Sequence, residues 1–141
     1  MLKLISKVIF LSFLASFVGC EPNIKNQNQE LKQEVIDIHD EVMPLMGDLK
    51  SLKKKIDEKK DMISQSDPEN IDKINELETL SINLDSAFNG MFVWMRQFQS
   101  SYDDMSEAEV ETYLLGQKVK VEKVNEDIKK AMTAAKKELE S

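Results

Sequence analysis

Glycine and proline are scarce in this chain, four and three residues among 141, and cysteine, histidine and tryptophan occur once each. So few glycines leave no glycine-rich loop to cradle phosphates and few of the tight turns that a sheet protein needs. One cysteine, Cys20, excludes an intramolecular disulfide. One histidine, His39, cannot supply a Ser/His/Asp or Cys/His set, and helical spacing buries no carboxylate pair in a cleft, so the sequence points away from an enzyme. The apolar run at residues 8–18 is too short for the ~20 residues that cross a ~30 Å hydrocarbon core. Basic residues are outnumbered, 19 against 26 acidic ones, and a net charge of −7 leaves nothing to neutralise a phosphate backbone, which argues against nucleic acid as a partner.

What the first twenty residues do contain is the layout of a secretion signal: Lys3 and Lys7, the apolar run, and Phe17-Val18-Gly19-Cys20. Gly19-Cys20 resembles the lipobox of bacterial lipoproteins, in which the cysteine thiol receives a diacylglycerol and its amino group, once exposed by cleavage, is acylated. Phe17 departs from the leucine usual there. The expectation is cleavage between Gly19 and Cys20, a lipid anchor on Cys20, and a place in the cell envelope, on the outer membrane facing the periplasm, since only Glu21 is acidic just after the cysteine. The alternative is an ordinary secreted protein with one free thiol. Several acyl chains hold a protein on a membrane where one does not.

Without residues 1–19 the chain loses two lysines, and −7 becomes −9. Residues 20–29 are rich in Asn and Gln with Ile24 as the one aliphatic, so they are expected to form a polar tether behind the lipid. From there apolar residues recur in steps of three and four. Leu31, Val35, Ile38, Val42, Leu45, Leu49, Leu52, Ile56 and Ile63 make one seam; Ile74, Leu77, Ser81, Leu84, Phe88, Met91, Met95 and Phe98 make a second. Val110, Leu114, Gln117, Val121, Val124, Ile128, Ala131 and Ala135 make a third. Asp67-Pro68 suits the start of the second helix, and Ser106 with Glu109 forms a capping box for the third. Helices over about 30–64, 67–99 and 106–140 with short connections predict an all-α, up-down-up antiparallel three-helix bundle occupying 30–141. An extended coiled coil that dimerises is the runner-up; Ile36, Met43, Met46, Leu80, Ala87, Trp94, Tyr113 and Met132 widen the apolar face toward a closed bundle.

The stretch 50–60 carries six lysines against Asp57 and Glu58. An anionic surface is one reading; pairing with Asp72, Glu76 and Glu78 across the hairpin is the preferred one. On helix 1, His39, Met43 and Met46 share a stripe, and Pro44 within it predicts a kink in one continuous helix. A hairpin folded about residue 66 brings Met91, Trp94 and Met95 to the same level, and a second turn near 103 brings Tyr113 beside Trp94. His39, Met43, Met46, Met91 and Met95 are therefore candidate ligands for a soft cation such as Cu(I), with Trp94 and Tyr113 for cation-π contact or packing. Zinc fits less well, because His39 is the slab's one hard-metal ligand. The competing and preferred explanation is packing, since thioethers fill gaps and favour aromatic rings.

At His39-Asp40-Glu41-Val42-Met43-Pro44-Leu45-Met46-Gly47 and Met91-Phe92-Val93-Trp94-Met95-Arg96-Gln97-Phe98 the chain resembles a group of small bacterial lipoproteins that carry the name "viral A-type inclusion protein". The resemblance covers most of the mature chain. It implies a lipoprotein signal and a helical module, and no activity or site residues. The functions that follow are a non-catalytic envelope lipoprotein presenting helices to a protein partner, with a homodimer an open arrangement, or a periplasmic Cu(I)-binding module.

Overall fold

Helix formation begins at Asn23, whose side-chain oxygen accepts a hydrogen bond from the Lys25 amide at 3.1 Å, in the computed structural model, which describes residues 23–141. Residues 1–19 and Cys20 lie outside this range, so the signal segment and the lipid site have no structural description. Helix α1 then runs Ile24–Val42. Most of the expected tether is therefore helical. Asn28 explains why: it is buried, and its amide donates to the Glu107 backbone oxygen at 2.9 Å and to the Glu107 carboxylate at 2.8 Å. A polar side chain is held in place when a fixed partner takes its donor hydrogens.

Pro44 does more than kink the rod. A single 3-10 turn, Met43–Leu45, separates α1 from α2 (Met46–Ser66). Proline has no amide hydrogen to offer the carbonyl four residues back. The chain tightens instead, and the Met46 amide donates to the Met43 carbonyl. Backbone angles stay right-handed through the turn, so the two segments form one broken rod.

Helix α3 spans Ile71–Gln97, and Asn70, not Asp67, is its cap, accepting from the Lys73 amide at 3.4 Å. Asp67 closes α2 by donating its amide to the Ile63 carbonyl. Helix α4 spans Glu107–Glu140 behind the complete Ser106/Glu109 capping box. The architecture is an all-α three-helix bundle, with α1 packing chiefly on α4, α2 on α3, and α4 on all of them to differing degrees.

Cross-helix bonds fix the directions. Lys60 meets Glu78 and Asp57 meets Ser81, so α2 and α3 are antiparallel about a turn near residue 69, a few residues beyond the expected centre. Lys73 meets Glu138, so α4 is antiparallel to α3. Asn28 meets Glu107, Glu34 meets Lys118, and Lys59 meets Glu138, so the first rod and α4 run parallel.

The core is a column of Val35, Val42, Leu49, Ile56, Leu77, Leu84, Met91, Leu114, Val121 and Ile128, all essentially inaccessible. On α3 the buried stripe passes through Ala87 and Trp94, leaving Phe88 partly covered and Met95 exposed. A straight helix at 3.6 residues per turn drifts off a strict seven-residue repeat, and this is the drift. On α4 the same effect buries Asn125 where the seam named Val124.

The lysine-rich stretch is mostly satisfied internally. Lys60 pairs with Glu78 at 2.6 Å, Lys53 with Asp57 at 2.7 Å, and Lys50 lies 4.4 Å above the Phe88 ring. Lys59 reaches across to Glu138, while Glu76 takes Lys73.

Candidate functional site

Helix α3 ends at Gln97, well before the first rod does, so the upper part of α1 is covered by α4 and by residues 98–106. The Lys32 ammonium donates to the Ser100 carbonyl at 2.9 Å and lies 5.3 Å from the Tyr102 ring. Aromatic side chains gather where helix gives way to loop. His39 and Trp94 have ring centroids 5.6 Å apart, Trp94 and Phe98 5.1 Å, Phe98 and Tyr113 6.3 Å, and Tyr113 and Tyr102 5.7 Å. These separations suit offset or tilted aromatic pairs.

Tyr113 does not lie beside Trp94 as expected; Phe98 stands between them in the series, because α3 and α4 meet several residues out of the anticipated register. The Tyr113 hydroxyl instead accepts the Gln99 amide at 2.6 Å and fastens the end of α3 to α4. Burial pushes the Tyr102 hydroxyl above its ordinary pKa, with the neighbouring Tyr113 adding to it.

Of the five proposed metal ligands, the bundle divides two from three. Met91 is fully enclosed and Met46 is 7 % exposed; both belong to the continuous core. Met43 is half-buried against that core, His39 has a side chain 16 % exposed, and Met95 is 39 % exposed. His39 near the end of α1 and Met43 at the start of the 3-10 turn lie one turn apart, with the Met43 amide donating to the His39 carbonyl. Continued by count from Lys60/Glu78 and Asp57/Ser81 through the 3-10 turn, the α2/α3 register would set Met95 about level with Met43.

Hydrogen bonding at His39 is lopsided. Nδ1 is 2.8 Å from Oδ1 of Asp40, while Nε2 is buried with no partner. A carboxylate is an acceptor only, so in the neutral ring Nδ1 carries the hydrogen and Nε2 presents a bare lone pair. The Trp94 Nε1 is likewise buried without a partner. Two orphaned ring nitrogens on touching rings are unusual where buried polar atoms are nearly always paired. The one sequence signal for Asp40 is its position next to His39.

Asn28 Oδ1, the Tyr102 hydroxyl and Gln117 Oε1 are also buried without a partner, while other buried polar groups are tied. Asn125 donates to the Ile38 carbonyl at 3.0 Å and to Glu41 at 2.8 Å, and Ser81 donates to Asp57 at 2.6 Å. Glu138 accepts from Lys73 at 2.7 Å, and Lys59 stands 2.9 Å from its other oxygen, close enough for charge although not aligned as a hydrogen bond. Burial alone would push the Glu138 carboxyl up, but the two lysines outweigh it and hold it below the ordinary value.

Among the described residues no three His, Cys, Asp or Glu side chains are grouped to hold a metal ion, and no helix is long and apolar enough to cross a membrane. The chain matches no family model, and no curated protein or solved structure is significantly similar to it.

Proposed function

We propose that the protein is a membrane-anchored envelope lipoprotein whose bundle is a non-catalytic module for holding a protein partner or for structural support. The observation that carries this reading is the spacing between the lipid-accepting cysteine pattern and the fold. Asn23 already caps α1, so the bundle starts three residues after Cys20. Three residues span at most ~11 Å, whatever their path. A lipid on Cys20 would therefore hold the bundle directly against the headgroups. Helix α4 alone has 34 residues, about 51 Å at ~1.5 Å per residue, so the far end would stand well clear of the membrane.

Exposed apolar side chains on the outer face of α4, Leu115 and Val119, support a protein partner more than a solvated spacer. They lie one turn apart and both are at least half exposed. The test is metabolic labelling of the full chain with a palmitate analogue, alongside Cys20→Ser, followed by fractionation of the envelope and in-cell crosslinking. Labelling that requires Cys20, with membrane recovery lost in the variant and a discrete crosslinked species, is the expected result. Unlabelled protein recovered in the soluble fraction would overturn the anchor.

A further inference from the structure

We infer that His39, Met43 and Met95 form a three-coordinate site for Cu(I), closed on one side by the face of Trp94. This goes beyond the anchoring role and stands on separate observations. The first is the orphaned Nε2 of His39, which is buried with no hydrogen-bond partner. Burying such a group without a partner costs stability. A soft cation supplies the missing partner.

The second observation is how that lone pair is prepared. In the neutral ring the Asp40 carboxylate accepts a hydrogen bond from Nδ1–H, which orients the ring and its tautomer, as carboxylates do for metal-bound histidines. It also places one negative charge beside a site whose other donors are neutral. A monovalent ion is the charge match. The donor set narrows the metal further: thioether sulfur selects Cu(I), and two sulfurs with one imidazole do not suit zinc or calcium.

The third observation is the wall. The Trp94 ring is tilted 35° to His39 at 5.6 Å and is itself almost wholly buried, so its π face is desolvated. A cation next to a desolvated indole gains more than one in water. Met95 adjoins Trp94 in the chain and is partly open to solvent, which gives the ion a path in without unfolding the core. Met46 and Met91 are spent on the core and are excluded from the donor set.

Binding as written is a simple coordination: three lone pairs are donated to Cu(I), no electron is transferred, and no proton is released from the neutral ring. The test uses the full chain in detergent, free of oxygen and with Cu(I) buffered by a chromogenic chelator; Ag(I) serves as a redox-inert probe. The expected result is one Cu(I) per chain, with quenching of the fluorescence of Trp94, the only tryptophan. Met43→Leu with Met95→Leu should abolish quenching and weaken binding at least tenfold while circular dichroism stays helical. Asp40→Ala should weaken it about tenfold, the low end for outer-sphere partners, because Asp40 is exposed. Met62→Leu, on a distant exposed position, should change nothing.

Absence of a complex that survives the chelator overturns the site. So does binding that persists in the double Leu variant, or binding lost equally in Met62→Leu. Loss of binding in a still-helical Met91→Leu variant would overturn this donor set in favour of a core one.

Discussion

The imidazole of His39 and the indole of Trp94 lie against one another, 5.6 Å between centroids, and each ring has one nitrogen buried without a hydrogen-bond partner. The contact joins α1 to α3 at the level where Pro44 breaks the first rod. Its polar atoms are costly as they stand, which makes this contact the most informative place to perturb the molecule.

Replacing His39 by Phe removes the orphaned Nε2 and keeps a ring against Trp94. The metal-free protein should gain about 1 kcal/mol, the relief of an unpaired buried acceptor less the loss of the exposed bond to Asp40. The urea midpoint, at unchanged slope, measures it; a variant less stable than the parent would show that Nε2 is satisfied in solution.

The methionines should separate by burial. Met91→Ala leaves a cavity in the sealed core and should cost about 2–5 kcal/mol, whereas Met95→Ala, on a partly exposed site, should cost under ~1 kcal/mol. Thermal or urea unfolding of the two variants side by side decides this. Equal losses would place both sulfurs in one enclosed slab.

Asn28 is the residue that turns a polar leader into helix. Asn28→Ala removes two hydrogen bonds to Glu107, one of them to a charged acceptor, and should cost about 1.5–3 kcal/mol. Amide exchange should quicken most in residues 24–31, with the α2/α3 hairpin protected as before. Uniform loss of protection would mean that the bundle opens as one unit.

Acid should weaken the bundle in part through Glu138. Its carboxyl titrates below the ordinary value of about 4.5, because Lys73 and Lys59 overcome the cost of burial. A depressed folded-state value means that the unfolded chain binds the proton more readily. The contribution is therefore complete above about pH 4.5 and is lost as pH falls through the lower folded value. Glu138→Gln should flatten the stability profile below pH 5 and lower stability at pH 7 by about 2 kcal/mol, the worth of bonds to a charged group. Urea titrations from pH 3 to 7 on parent and variant would reveal an unchanged slope if the cluster were inert.

The bundle was legible because its signals are local. Steps of three and four and the Ser106/Glu109 box each depend on residues within a turn or two. What was hidden depends on distant partners. Nothing near Asn28 announces Glu107, 79 positions away, so a helical start reads as a tether. The buried stripe of α3 drifts from Phe88 and Met95 to Ala87 and Trp94, an error that grows with helix length and that a heptad cannot express. The His39/Trp94 pairing survived a hairpin centre misplaced by about three residues because aromatic rings reach across such an offset, whereas Tyr113, on the other side of Phe98, did not. Thioether placement was the least readable: sequence puts Met91 and Met95 on one stripe, and only packing tells the sealed sulfur from the open one.

Because the first rod and α4 point the same way, tension between the beginning of α1 and the end of α4 would slide one past the other. The links from Asn28 to Glu107, Glu34 to Lys118, Glu41 to Lys129 and Lys59 to Glu138 span nearly the whole contact and would bear that load together. Rupture in shear demands that they fail at once, whereas a zipper yields link by link; the arrangement resists being drawn out lengthwise far better than being peeled.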